Sequence, residues 1–493
     1  MRGTLKDDRV DGVLTAIRIV IISAVLGVVP ASARAWSVAP SGLVSLRYQT
    51  GENLTLLNPG VTYPDAGFAA VYLMPGFSLN QGDWLSADLE LYTGELSPRT
   101  FSSGSLSLYG VENVHDYFHD TYFVRQAYIA VSPDDAFTLT AGEQQIIAGS
   151  RLLFDNYQPA VTAGYDLLDA FDIPLTFDLK AVKVEPYKLY DPSRTSVLYD
   201  AEVSYNFSLF EYITAFYSNF QDTDSTLAPI LNNLIYSALF NRVEYDNLIS
   251  KYGQVRARRI MACLQQQYAA GGPVHSSSSS ISWAGMTGDR YFGRVEINLT
   301  GILETGDGSI SGVNCFNYAR PLDRHFSTFG YLADAKVKYH ILDKAAIGLF
   351  FNLSSGDKTP AQAILTQNTL NSFLSIFPYN TESSLFFNGG INQNLSAGSL
   401  TIAGRRGLGD VAYGAMVDVY PVRSLEGTLT SVLIYPEITS KLYGIETDVT
   451  ATYMPVRHVS LPFEFDYFSP GNFFQGYSIP YVMQVLFGAD ITW

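Results

Sequence analysis

Beyond residue 35 the sequence has no apolar run of about eighteen residues, which excludes membrane-spanning helices and leaves spanning strands open. Basic residues are in deficit, 31 Lys and Arg against 47 Asp and Glu, and that balance argues against nucleic acid as a partner. Charge is sparse overall, at 16%. No G-x-S-x-G turn and no phosphate-cradling glycine loop occurs, so no enzyme activity, catalytic residue or cofactor is expected. Tryptophan is scarce at 4 residues, whereas Tyr and Phe supply 33 and 30. Broad rings suit a pleated, half-buried surface. They also suit the two interfaces of a membrane barrel, where one end of the ring is wet and the other apolar.

The first 35 residues read as a secretory signal. Arg2, Lys6, Arg9 and Arg18 precede an apolar core, Ile19 to Val29, followed by Pro30 and Ala31-Ser32-Ala33-Arg34-Ala35, with two overlapping A-x-A exits. The core is about half the length a spanning helix needs. Cleavage within 1–35 would remove five basic and three acidic residues, leaving 26 and 44 and a formal charge of −18. The remainder, 36–493, is then either exported fully or inserted as a barrel.

Its period decides between these. Tyr481, Met483, Val485, Phe487, Ala489, Ile491 and Trp493 share one face; Gln484, Gly488, Asp490 and Thr492 share the other with Val482 and Leu486. Alternation over more than ten residues is a strand with one greasy and one largely polar side. Soluble strands are about half as long, whereas a tilted membrane strand needs roughly nine to eleven residues. The pattern recurs at Trp84–Gly94, Val197–Phe207, Tyr291–Gly301, Tyr331–Tyr339, Val411–Val419 and Leu442–Tyr453. In lipid only a closed sheet leaves no unpaired edge. The expected fold is an all-β transmembrane antiparallel barrel of about eighteen strands in a bacterial outer membrane.

Links sort into short turns, at Asn80–Asp83, Ser132–Asp135, Leu342–Lys344 and Pro455–Arg457, and long loops near 98–119, 148–160, 222–278, 305–327 and 356–404. Short turns belong in the periplasm and long loops outside. Within the third loop, 224–272 reads as a helical extracellular insert. Ile230, Leu231, Leu234, Ile235, Ala238 and Leu239 fall at helical spacing after Pro229, and a second helix spans about Gln254–Ala269. Ser276 to Ser280 then read as a flexible return.

Several motifs resemble the alginate-export family of outer-membrane barrels. They are Arg125-Gln126-Ala127-Tyr128-Ile129, Leu139-Thr140-Ala141-Gly142-Glu143-Gln144 and Gly149-Ser150-Arg151-Leu152-Leu153, then Ser354-Ser355-Gly356-Asp357, Phe377-Pro378 and Asn388-Gly389-Gly390. The resemblance covers about a quarter of the chain and implies polymer export, with a periplasmic export partner. One departure is that Glu143 stands where the family pattern has a basic residue, while Arg151 is retained, and both are expected to line the lumen.

Assigning faces by period puts Asp88, Glu90, Asp178, Asp200, Glu202, Glu296, Asp334, Asp418, Glu446, Asp448, Glu464, Asp466 and Asp490 inside. The inward basic set is Arg125, Lys180, Arg294, Lys336 and Lys338, with Arg405 and Arg406 at a strand start. Such a lumen repels a polyanion and attracts cations, unless the charges simply pair across strands. The expected function is a porin-like channel for passive diffusion or export of a hydrophilic solute or polysaccharide. The alternative is a surface-exposed barrel whose filled lumen makes it a binding or structural protein.

Cys263 in the insert and Cys315 in the next loop are both expected outside, where oxidation is permitted, as a disulfide or as two separate thiols. His115 and His119 at i, i+4, and Asp222 with Asp224, have metal-ligand chemistry, but a solvated loop accounts for both, and no metal is expected. Arg256, Arg258 and Arg259 form a basic patch suited to gripping lipopolysaccharide, to gating the mouth, or to a plain solvated helix face. The partners expected are outer-membrane lipid, lipopolysaccharide and the barrel-insertion machinery.

Overall fold

The computed structural model describes residues 36–52, 66–96, 123–149, 152–184, 196–208, 210–223, 227–228, 231–232, 248–270, 272–316, 322–342, 344–358, 363, 369–376, 383–388, 400–475 and 479–493. The expected signal, His115, His119, Arg151, Asp224 and the helical positions 229–230 and 233–241 lie outside these residues. The strands in chain order are β1 Trp36–Glu52, β2 Ala66–Gln81, β3 Leu85–Leu96, β4 Phe123–Val131, β5 Phe137–Ala148, β6 Phe154–Asp166 and β7 Leu175–Lys183. Next come β8 Val197–Ser208, β9 Glu211–Asp222, β10 Val274–Phe292, β11 Val295–Gly312, β12 Leu322–Leu342 and β13 Ala345–Ser354. Three short strands follow, β14 Thr369–Leu370, β15 Leu374–Ile376 and β16 Leu400–Ile402. The last are β17 Asp410–Val422, β18 Leu425–Tyr435, β19 Gly444–Val456, β20 Val459–Pro470 and β21 Val482–Thr492.

Eighteen of these, β1–β13 and β17–β21, form one closed antiparallel barrel. Each pairs with its neighbour in sequence, β13 with β17, and β21 returns to β1 in the register Leu43↔Thr492 to Glu52↔Met483. Alternation sets the two faces. On β8, Tyr199, Val203, Tyr205 and Phe207 are exposed while Asp200 is buried. On β13 the alternation is complete, with Leu349 68% exposed between the buried Gly348 and Phe350. Exposed apolar residues at alternate positions on so many strands make an outer face fit for lipid rather than water. Aromatics gather at its edge near the short turns, among them Phe207, Phe210, Tyr291, Phe292 and Tyr420.

The links after β2, β4, β6, β8, β10, β12, β17 and β19 lie at one end, with Trp36 and Trp493; the two longest links, β9–β10 and β13–β17, lie at the other. The expected turns fall at the first end, with Pro455–Arg457 early because β19 runs to Val456. The expected loops 148–160, 222–278 and 305–327 are too wide. β5 runs to Ala148, β6 starts at Phe154, β10 at Val274, β11 runs to Gly312 and β12 starts at Leu322. The five serines are a strand and not a flexible return. Ser277 and Ser279 point inward and are buried, while Ser276 and Ser278 bond outside to Ser311 (2.6 Å) and Ser309 (2.8 Å). Strands β10 to β12 are 18 to 21 residues long, far more than lipid requires. Above the lipid an outward side chain can be polar, so hydrophobic period loses the strand although its ladder continues.

Two segments turn into the barrel. β4 pairs with β5 only up to Ala127↔Glu143, and β6 meets β7 only from Ala160↔Val182. Between these points, among the described residues, the β5–β6 hairpin has no ladder to β4 or β7 and leaves the wall, and at its tip the Leu153 carbonyl accepts from the Ile376 N–H at 3.2 Å. The bend is at Gly142, whose φ of +135° is closed to other residues and whose Cβ would sit 2.2 Å from the Ala127 carbonyl oxygen. The second segment is the β13–β17 link. Leu153 and Phe154 from the hairpin, and Phe373, Leu374, Ile376, Leu385, Phe386, Leu400 and Ile402 from the link, are almost wholly buried in one cluster. Inward wall residues such as Phe216, Trp283, Phe350 and Phe468 complete it. Several of these rings lie over glycines of neighbouring strands, Phe216 over Gly285 and Phe350 over Gly414.

The insert joins the same cluster. Helix Gln254–Ala269 buries Ala257, Ile260 and Leu264, and Cys263 is bonded to Cys315 with Cα atoms 5.6 Å apart. Alkylation of the folded, unreduced protein is therefore expected to modify neither cysteine, and to modify both after reduction. Gly142→Ala is expected to destabilise the refolded barrel by about 2 kcal/mol or more in equilibrium urea unfolding; an unchanged midpoint would mean the bend is not forced there.

Candidate functional site

The site is the barrel interior, and its lower wall is a set of cross-strand ion pairs. Arg47 on β1 lies over Gly488 and reaches Asp490 at 2.7 Å. Lys180 on β7 meets Asp200 at 3.0 Å and Glu202 at 2.8 Å, both on β8. Lys338 on β12 crosses β13 at Gly348, where no side chain blocks it, and meets Asp418 on β17 at 2.7 Å. Glu296 and His340 approach at 2.9 Å. Arg125 pairs with Glu90, donates to the Tyr157 hydroxyl at 2.8 Å and stacks 4.5 Å over its ring. It thereby ties the wall to the in-turned hairpin. Asp334 accepts from Asn352 at 3.2 Å.

The upper interior is held by wall carboxylates that accept hydrogen bonds from the in-turned link. Glu304 on β11 is fully buried and accepts from the Leu374 N–H at 2.5 Å. The Leu374 carbonyl takes the Trp283 indole N–H at 2.8 Å. Glu446 on β19, also fully buried, accepts from the N–H groups of Leu385 (2.6 Å) and Phe386 (2.8 Å) and from the Ser383 hydroxyl (2.8 Å). Asp448 accepts from the Ser384 N–H at 3.2 Å. Backbone N–H groups taken away from water need partners, and a carboxylate is a strong one. At the root of the link, Ser355 accepts from the Tyr331 N–H (3.0 Å), Ser354 from the Asp410 N–H (3.0 Å), and Asp357 from Asn371 (3.3 Å).

Solved structures share this architecture over nearly the whole chain. Acinetobacter baumannii OccAB1 matches with a TM-score of 0.52 at 10% identity, covering 92% of this chain and 96% of that one. Pseudomonas aeruginosa OccK9 (OpdG) matches with 0.52 at 11%, covering 93% and 98%. Pseudomonas aeruginosa OpdK, solved with vanillate, matches with 0.50 at 10%, covering 93% and 98%. The fold is that of an outer-membrane β-barrel. No protein-family model matches the chain, and no curated protein matches it in sequence. At these identities the likeness is one of fold.

The interior gathers most of the residues singled out by period. Asp88, Glu90, Asp178, Lys180, Asp200, Glu202, Glu296, Asp334, Lys336, Lys338, Asp418, Glu464, Asp466 and Asp490 occupy inward-facing positions on their strands. Glu446 and Asp448 are inward too, but they meet the in-turned chain instead of an open bore. Glu143 lies at the junction where the hairpin leaves the wall. Arg294 corrects the assignment by period: it sits in the β10–β11 turn, exposed, donating to the Ile341 carbonyl at 3.0 Å. Arg405 is fully buried, 4.8 Å from the Phe474 ring, and the Arg406 side chain is outside the described residues. Asp222 is buried and accepts from the Leu227 N–H at 3.2 Å. Among the described residues no group of three or more His, Cys, Asp or Glu is arranged to hold a metal ion.

Period missed Glu304 and Arg47. Glu304 was readable, because it continues the inward series Glu296, Asn298, Thr300 past Gly301. Arg47 was not, because its partner arrives only when β21 closes on β1. Glu446→Ala would remove the carboxylate that accepts from two buried N–H groups, at about 1–3 kcal/mol each. It is expected to speed hydrogen exchange across 383–388 roughly tenfold or more without unfolding the barrel. Unchanged exchange there would show that the carboxylate does not hold the link.

Proposed function

We propose that the chain is a passive outer-membrane channel for small hydrophilic solutes, with a preference for cations. The carrying observation is the inner wall: an acidic, partly accessible polar face enclosed by a lipid-compatible exterior. Low-dielectric walls concentrate the field of such a face, enrich cations and hold back anions. A polyanion is a poor cargo for it, so the polymer export implied by the alginate-export-like motifs is read as a matter of architecture and not of alginate itself. The carboxylate ligand in the OpdK structure stays with that protein for the same reason. Residues 1–35 are proposed as the secretion signal. Lipopolysaccharide and the insertion machinery are the partners this location requires, and a periplasmic export partner belongs to the export reading alone. No enzymatic step is proposed.

A second reading has its own observation. The upper interior is packed by the hairpin tip, the β13–β17 link and the insert, which suits a barrel whose filled lumen serves binding or structure. Planar bilayers separate the two. Purified protein is expected to give discrete conductance steps, and a salt gradient to give a reversal potential of cationic sign. No current from folded protein would favour the filled barrel, and an anionic sign would overturn the argument from the acidic wall.

A further inference from the structure

The lipid-facing wall of β6–β9 is not smooth. It carries a groove of about 390 Å³ whose lining includes Ala163, Ala181 and Ala201. Those side chains end at Cβ, whereas Leu179, Tyr199 and Tyr217, which line the groove too, stand exposed around them. Small and large residues alternate across the ladder, Ala163↔Leu179, Leu179↔Ala201 and Ala201↔Tyr217. The groove lies toward the end of the barrel that carries the β9–β10 link, since Tyr199 is the third residue of β8 and its turn to β9 follows Ser208. Just above it the outward residues change character. On β9 the outward series passes from Tyr217 to Asn219 and Gln221, and on β10 from Ala284 to Ser282 and Ser280. Asn219 donates to Ser282 at 2.9 Å and to Ser280 at 3.2 Å, and the Tyr217 and Ser282 hydroxyls share a hydrogen bond of 3.0 Å. On β7 the outward series Phe177, Leu179, Ala181 ends at Lys183. A change from apolar to polar on the outer face marks the edge of the hydrocarbon. The groove therefore opens into the outer half of the membrane, directly beneath the headgroups.

We propose that this groove is a binding site for lipopolysaccharide, the lipid of the outer leaflet, with one acyl chain seated among the alanines and a phosphate at Lys183. The wall faces hydrocarbon, so an acyl chain is what meets the groove. A seat just beneath the headgroup boundary suits a chain that hangs from a headgroup at that boundary. Lysine has an apolar stem and a cationic tip, so Lys183 can lie along the wall and hold its Nζ at the level of the phosphates. Asn219, Ser280 and Ser282 add uncharged donors and acceptors beside it, which match sugar hydroxyls. The nearby acid on β9, Asp222, faces inward and is buried, so it does not oppose the phosphate. The site rests on the outer-membrane location alone and holds whether or not the lumen conducts.

The test titrates the full-length protein, folded in detergent micelles, with lipopolysaccharide and reads bound lipid by native mass spectrometry. Lipopolysaccharide is expected to bind more tightly than phosphatidylglycerol. Ala201→Phe fills the groove from the lipid side, where no protein packing is disturbed, and is expected to weaken binding roughly tenfold or more. Lys183→Gln is expected to weaken it roughly fivefold, and Lys183→Arg to retain it. Ala415→Phe alters an exposed alanine on the lipid face of β17, outside the groove, and is expected to bind as the native protein does. Dephosphorylated lipopolysaccharide is expected to bind the native protein as weakly as the intact lipid binds the Lys183→Gln variant. Unchanged binding by Ala201→Phe, or an equal loss in Ala415→Phe, would overturn the site. Equal affinity for phosphatidylglycerol would overturn lipopolysaccharide as its occupant, and dephosphorylation without effect would overturn the role of Lys183.

Discussion

The structure depends on a closed ring of backbone hydrogen bonds. Inside lipid an unpaired N–H or C=O has no water to turn to, so β21 must find β1, and the register Leu43↔Thr492 to Glu52↔Met483 completes the wall. The rest follows from that closure. Once all eighteen strands are paired, alternation sends every second side chain to lipid and the others inward, and the interior inherits whatever polarity the lipid refuses. The acidic inner face is in this sense the complement of the exposed Leu179, Leu349 and Phe487 outside.

Filling the interior raises the same problem again, because chain drawn inside brings its own peptide groups. Its solution is chemical: Glu304, Glu446 and Asp448 accept the N–H groups of Leu374, Leu385, Phe386 and Ser384. Carboxylates that look like lumen charges in a list of residues are therefore of three kinds. Some pair across the wall with Lys180, Lys338 or Arg47, and others hold the in-turned link. A third set, Asp88 among them, stays half-exposed toward the interior.

The motifs that suggested a family fall on these structural joints. Gly142 is the bend at which the hairpin leaves the wall, and Leu152 and Leu153 form its buried tip. Ser354, Ser355 and Asp357 fasten the root of the β13–β17 link. Residues at such places answer to geometry and not to cargo. They mark how a barrel is constricted without saying what passes through it. Chains that share the fold at about 10% identity can therefore differ in solute.

Period two, strand length and the order of short and long links were enough to read the barrel, its strand number and the inward face of most strands, and helical patterning in the third loop gave the helix Gln254–Ala269. These are local properties, since a pleat assigns faces without reference to any neighbour. Strand ends above the lipid, such as Ser276–Ser280, were misread because polarity there no longer reports the face. What only the tertiary structure decided was partnership: that Lys338 crosses Gly348 to Asp418, that Glu446 receives a link more than fifty residues away in sequence, and that Arg294 stands in a turn. The separation has a simple cause. Facing inward depends on one strand, whereas being paired, buried or free depends on which distant segment the closed wall brings opposite.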